Sequence, residues 1–124
     1  MVNLKIPAAD HDWPFIQPIK HEADQLQINI QIPGTLRWFD GHFPDQPVLP
    51  GVAQVFWADY LAKQLLPDLH SGCHLKSVKF NRIILPDTQV QLNLQVKKGK
   101  QQVNFIYQHK DEICSSGSFR GQST

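Results

Sequence analysis

The sequence predicts an α+β domain in which an antiparallel sheet wraps one long helix. Two stretches carry the strand prediction. Leu26, Ile28, Ile30 and Ile32 alternate with Gln25, Gln27, Asn29 and Gln31, and Val90, Leu92, Leu94 and Val96 alternate with Gln89, Gln91, Asn93 and Gln95. Period-two patterning of this kind marks a strand with one buried face. Between them the run GVAQVFWADYLAKQLL, from Gly51 to about Leu66, contains no proline and is apolar on most of its circumference. A helix of that character has to be surrounded by something else. Antiparallel strands and one buried helix are satisfied together when the sheet curls around the helix.

The remaining elements follow in order. Residues 1–12 form an irregular lead-in, and Trp13 to Lys20, broken by Pro14 and Pro18, is expected to be an edge strand because proline cannot donate to a ladder. Pro33-Gly34 ends the first alternating strand. Thr35 to Pro50 holds Asp40-Gly41, Pro44, Pro47 and Pro50, too many breakers for a regular element, and is expected to be an ordered loop. Pro67 stops the helix. Residues 74–84 are β-rich, Lys97 to Lys100 turn a hairpin, Val103, Phe105 and Tyr107 alternate again, and Asp111-Glu112 turns into a last strand through Phe119.

Composition narrows the function classes. The 124 residues suit one domain; 41% are hydrophobic, 19% are charged and the formal net charge is +1. These values are those of a globular protein and give no support to nucleic-acid or membrane-surface binding. No run approaches the roughly 18–20 apolar residues that cross a bilayer, and no signal-like leader opens the chain. Cys73 and Cys114 lack CxxC spacing and are expected to be reduced, which favours the cytoplasm.

The chemically informative segment is WFDGHFPDQPVLPGVAQ, beginning at Trp38. Gly41-His42-Phe43-Pro44, Pro47-Val48 and Pro50-Gly51-Val52 closely resemble the signature of the FabA/FabZ-type 3-hydroxyacyl-acyl-carrier-protein dehydratases. Val78-Lys79-Phe80-Asn81-Arg82 through Leu85-Pro86-Asp87 resembles the strand pair after that family's central helix, and Trp13-Pro14-Phe15 its opening strand. The GVAQ helix start resembles the specialised branch found with aryl-polyene or polyketide-like lipid clusters. The resemblance spans almost the whole chain in the right order. It implies a hotdog fold with a five- or six-stranded sheet, and a dimer with a shared sheet and sites at the interface. The substrate it implies is an acyl thioester on acyl carrier protein, with no metal and no organic cofactor.

The residues suit that chemistry. Removing water from a 3-hydroxyacyl thioester takes a proton from C2 while hydroxide leaves C3. The enolate-like charge on the thioester oxygen needs donors such as the amides at a helix start. Pro50-Gly51 supplies such a start, and glycine allows close approach to the backbone. The imidazole of His42 titrates near neutrality and suits the base, aimed by its proline-rich loop. Substrate contacts are expected at Gly51, Val52, Phe43, Phe56 and Arg82; Arg82 matches a basic residue of the family's pattern and is the candidate for a basic rim that would steer the acidic carrier protein.

One departure stands out. In the related dehydratases a carboxylate on the central helix faces the histidine across the interface, and the matching position here is Phe56. Either Asp59, about one turn further on, takes the acid role, or His42 alone handles both the proton and the leaving hydroxide. Asp59 at i, i+4 from Lys63 also suits a plain helix-face ion pair. The other histidines (His11, His21, His70, His74 and His109) lack metal-ligand spacing and are expected in surface or turn roles. Cys73 and His74 are neighbours on a strand and point to opposite faces. Two rival functions stay open. One is an impaired subunit that binds acyl thioesters or pairs with an active dehydratase; the assembly expected in either case is a homodimer or a hetero-oligomer with another hotdog subunit. The other is a thioesterase that uses Asp59 to activate water.

Overall fold

A computed structural model describes residues 4–41, 43 and 45–121. In chain order the elements are β1 (Phe15–Glu22), β2 (Gln25–Ile32), a short 3-10 turn (Arg37–Phe39), α1 (Gly51–Leu65), a second 3-10 turn (Pro67–Ser71), β3 (Cys73–Phe80), β4 (Thr88–Lys97), a third 3-10 turn (Lys98–Lys100), β5 (Gln102–His109) and β6 (Glu112–Gly121). The six strands form one antiparallel sheet in the order β1-β2-β4-β5-β6-β3. This is the α+β hotdog arrangement, with six strands.

The alternation places the core. Leu26, Ile28, Ile30 and Ile32 are fully buried, and Val90, Leu92, Leu94 and Val96 lie on the same face. Register stacks them in rows: Leu26 opposite Leu94 and then Phe105, Ile28 opposite Leu92 and then Tyr107. Cross-strand apolar pairs of this kind hold register, because a one-residue slip would turn every core side chain to solvent. Phe105 stacks on Phe119 at 5.3 Å and meets Tyr107 edge-on at 6.0 Å.

Helix α1 presents Ala53, Trp57, Ala58, Leu61 and Ala62 to this face, all fully buried. Three alanines on the inner arc let the helix axis approach the sheet, while Trp57 and Leu61 fill the space between. The helix is less enveloped than its composition predicts. Val52 is 65% exposed and Phe56 44%, so one chain's sheet covers a single side of it.

The edges differ from an ideal ladder. β1 is an edge strand with an irregularity between Pro18 and Lys20, as proline dictates. β3 is the other edge, and its register shifts between Lys76 and Lys79, where Ser77 adopts φ 56°. Across that irregularity, Lys76 and Lys79 do not follow the simple alternation of faces along a strand. Arg82 lies beyond the strand altogether, where Asn81 N–H and Arg82 N–H both donate to the Cys114 carbonyl at 2.8 and 3.1 Å.

Candidate functional site

The loop from Pro33 to Pro50 is held by its apolar residues and its ends. Leu36, Phe39, Val48 and Leu49 are buried. Gly34 N–H donates to the Asp87 carboxylate at 3.0 Å, and Leu49 N–H donates to the Ile84 carbonyl at 2.8 Å. Gly41 has φ 72° with open space where a Cβ would stand, so glycine is required by backbone conformation and not by crowding. The next residue, His42, predicted as the base, lies outside the described residues. Phe43 beside it is 58% exposed.

Helix α1 opens at Gly51, with Pro50 in an extended conformation before it and no side chain capping its first turn. Ala53 N–H closes onto the Pro50 carbonyl at 3.1 Å. The first amides of a helix carry its positive pole, and no acidic residue stands in this first turn. Gly51 is glycine for a steric reason: a Cβ there would come within 2.5 Å of the Phe80 ring. The ring that covers the helix start is itself half-exposed.

Sequence reasoning passed over the residues that pin this helix start. Gln54 is 3% exposed. Its side-chain oxygen accepts from Ser115 Oγ at 2.6 Å, and its carbonyl accepts from the Tyr107 hydroxyl at 2.6 Å. Its amide nitrogen donates to the Leu49 carbonyl at 3.4 Å. Helix, loop and two strands thus meet at one buried residue, through its side-chain amide and its backbone carbonyl. The signal was present: Gln54 interrupts the apolar stripe that continues through Trp57, Ala58 and Leu61. Burial pushes the Tyr107 hydroxyl well above its ordinary value, so it stays a neutral donor.

Phe56 sits in an aromatic cluster on the exposed side of α1. Its ring lies 5.2 Å from Trp13 and 5.9 Å from Trp38, and Trp13 meets Tyr60 at 5.0 Å. The indoles of Trp38 and Trp57 both donate to the Asp12 carbonyl, at 2.9 and 3.2 Å, which fixes the lead-in against loop and helix. Asp59 pairs with Lys63 at 3.0 Å. Phe56 and Asp59 share a cavity of about 500 Å³ with Tyr60 and Gln64, and Phe56 also borders one of about 350 Å³ with Trp13, Arg37 and Trp38.

The predicted contacts therefore divide. Gly51 and Val52 stand at the helix tip, while Phe56 and Asp59 line the helix face. Arg82 pairs with Glu112 and lines a separate cavity of about 370 Å³. Burial, and next the Asp59 carboxylate, hold the Cys73 thiol above its ordinary value, with Lys63 pulling the other way. Both cysteines are free. Among the described residues no group of three or more His, Cys, Asp or Glu side chains could hold a metal, and no helix is long and apolar enough to cross a membrane.

A six-stranded sheet packed on one helix that starts at Pro50-Gly51 is the hotdog arrangement, and the sequence Gly-His-Phe-Pro ahead of that start is of the kind that the dehydratase class carries. Within it, the sequence profile described as ApeI-like, ApeI dehydratase, matches residues 18–118. The chain belongs to that family. It is 29% identical over 102 residues to the 3-hydroxyacyl-[acyl-carrier-protein] dehydratase FabZ of Coxiella burnetii, covering 71% of this chain and 72% of that protein. Among solved structures it is similar to a chain of the dehydratase heterocomplex ApeI:P from Xenorhabdus doucetiae, with TM-score 0.76 and 30% identity over 86% of this chain and 96% of that one. The dehydratase domain of a mycocerosic acid synthase-like polyketide synthase shares the fold, with TM-score 0.69 at 18% identity over 95% of this chain and 43% of that one.

Proposed function

We propose that this protein dehydrates 3-hydroxyacyl thioesters carried on acyl carrier protein to trans-2-enoyl thioesters. In this reading His42 takes the C2 proton and the Gly51 amide stabilises the thioester oxygen. Val52, Phe43 and Phe56 border the path of the substrate, and Arg82 meets the carrier. The observation that carries it is the uncapped start of α1 at Gly51, immediately after the loop that bears His42. An enolate oxygen placed there meets backbone donors already oriented, with no reorganisation cost at the moment of reaction.

Asp59 is the acid in this reading. Asp59 is the helix carboxylate next to Phe56 in the shared cavity, and protonating the leaving hydroxide would require it to leave Lys63. A second reading follows from Phe56 being packed between Trp13 and Trp38. Here a partner hotdog subunit contributes the acid, in keeping with a structural neighbour that is a heterocomplex. Assembly would use β3, whose outer edge pairs with no strand among the described residues and which leaves Leu75 and Phe80 half-exposed.

The test is turnover of a 3-hydroxyacyl carrier-protein thioester by the purified chain, alone and co-purified with a second hotdog subunit. Formation of the enoyl product that His42→Ala abolishes supports the reading. Absence of product in both arms would overturn it. Asp59→Asn separates the acid assignments. A loss on the order of 10²-fold or more identifies Asp59 as the donor, and an unchanged rate assigns the proton elsewhere.

A further inference from the structure

The cavity of about 500 Å³ on the exposed side of α1 has a charge pattern that dehydration does not use. Besides Phe56 and Asp59, it is lined by Tyr60 and Lys63 of the helix, His70 of the 3-10 turn that follows, and Lys5 of the lead-in. Lys5 is clamped there through its backbone. Its N–H donates to the Gln64 side-chain oxygen at 2.6 Å, and its carbonyl accepts from the Gln64 side-chain nitrogen at 2.9 Å. The lysine side chain takes no part in that clamp. The lining thus carries two lysines and a histidine against one carboxylate. Asp59 pairs with Lys63 with side chains 27% and 30% exposed, the least solvated ion pair among the described residues. Neither Lys5 nor His70 has an ion-pair partner among those residues.

The excess of positive charge favours an anion. On an open surface two lysines would hold one weakly, because water and salt screen them. Here the rings of Phe56 and Tyr60, both packed on Trp13, keep water from one side, which strengthens a charge-assisted hydrogen bond. The same wall selects an anion with an apolar body. Inorganic phosphate would leave the rings uncovered, and a bare hydrocarbon end would strip water from the lysines and return no hydrogen bond. A carboxylate at the end of an apolar chain satisfies both. It would also compete with Asp59 for Lys63, the separation that the acid role demands. At a helix rise of about 1.5 Å per residue, Lys63 stands about 18 Å along α1 from Gly51. In the dehydratase reading the cavity therefore receives the far end of a chain whose thioester lies at the helix start.

We infer that this cavity binds a carboxylate at the end of an apolar chain, with Lys5, Lys63 and His70 toward the carboxylate and Phe56 and Tyr60 along the chain. The carboxylate is either the far end of the substrate or a separate acid, and only the first rests on the dehydratase reading. The first test needs no turnover. Ligand-observed NMR would compare octanoate with 1-octanol on the wild type and on Lys5→Met combined with Lys63→Met, each protein checked by its melting curve. Octanoate is expected to bind the wild type more tightly than octanol. Loss of the two ammonium groups is expected to weaken octanoate about tenfold or more and to leave octanol unchanged. Should the double variant melt early, Lys5→Met alone decides, since Lys5 is exposed and in no ion pair. Octanol binding as tightly as octanoate, or octanoate binding that ignores the lysines, would overturn the inference. Turnover then separates the sources. Faster dehydration of a 3-hydroxyacyl carrier thioester whose far end is a carboxylate than of a methyl-ended one, with the preference lost in Lys5→Met, assigns the carboxylate to the substrate. No preference, with octanoate still bound through the lysines, assigns it to a separate acid. Turnover of neither thioester, with octanoate still bound, sinks the catalytic reading and leaves this site standing.

Discussion

At the scale of single residues, backbone conformation and close contact decide what can be replaced. Gly41→Ala places a side chain at φ 72° beside His42. The strain, on the order of 1 kcal/mol, is expected to lower turnover more than stability, as melting and rate measurements on one preparation would show. Tyr107 has a pH signature. Its hydroxyl is held above its ordinary value by burial, so it favours the folded state fully below about pH 10, the unfolded value. As pH rises past that point the unfolded chain gains by ionising while the folded one does not, and stability falls. Melting temperatures from pH 8 upward are expected to decline above about 10, and Tyr107→Phe is expected to flatten that decline while lowering stability at pH 8. What the sequence made legible at this scale was the loop and its glycines. Gln54 and Ser115 were not, because a buried hydrogen bond between residues 61 positions apart leaves no local pattern.

At the scale of elements, α1 is held both by packing and by its polar pin. Trp57→Ala removes a fully buried indole and its bond to Asp12, and is expected to cost about 3–5 kcal/mol in denaturant unfolding. Gln54→Ala strands the Ser115 hydroxyl, at a cost of about 1–3 kcal/mol. Strand positions were legible because β2, β4 and β5 alternate without interruption. β3 was legible as a strand but not in its facing, since the irregularity at Ser77 breaks the period on which facing depends. The helix was placed to within a residue at its end. Its exposed arc was misjudged, because apolar composition does not say whether a side chain is covered by its own sheet, by an aromatic neighbour such as Trp13, or by another subunit.

At the scale of the whole molecule, an open sheet edge at β3 beside a half-covered helix points to assembly. Leu75→Lys puts a charge on that edge and is expected to shift sedimentation toward the single chain, with melting of the isolated chain little changed. The fold class was legible from strand alternation and one apolar helix, and the family from the motifs of loop, helix start and following strand pair standing in the right order along the chain. That Phe56 and Arg82 border separate cavities was not, because it depends on which distant segments meet. One contact also has a use outside chemistry. The chain's three tryptophans, Trp13, Trp38 and Trp57, gather around residues 12 and 13, two of them on a single carbonyl oxygen. Intrinsic fluorescence therefore reports on one spot. Any event that lifts the lead-in from the loop and helix would redden the emission of the whole protein, giving an optical signal of opening without an added label.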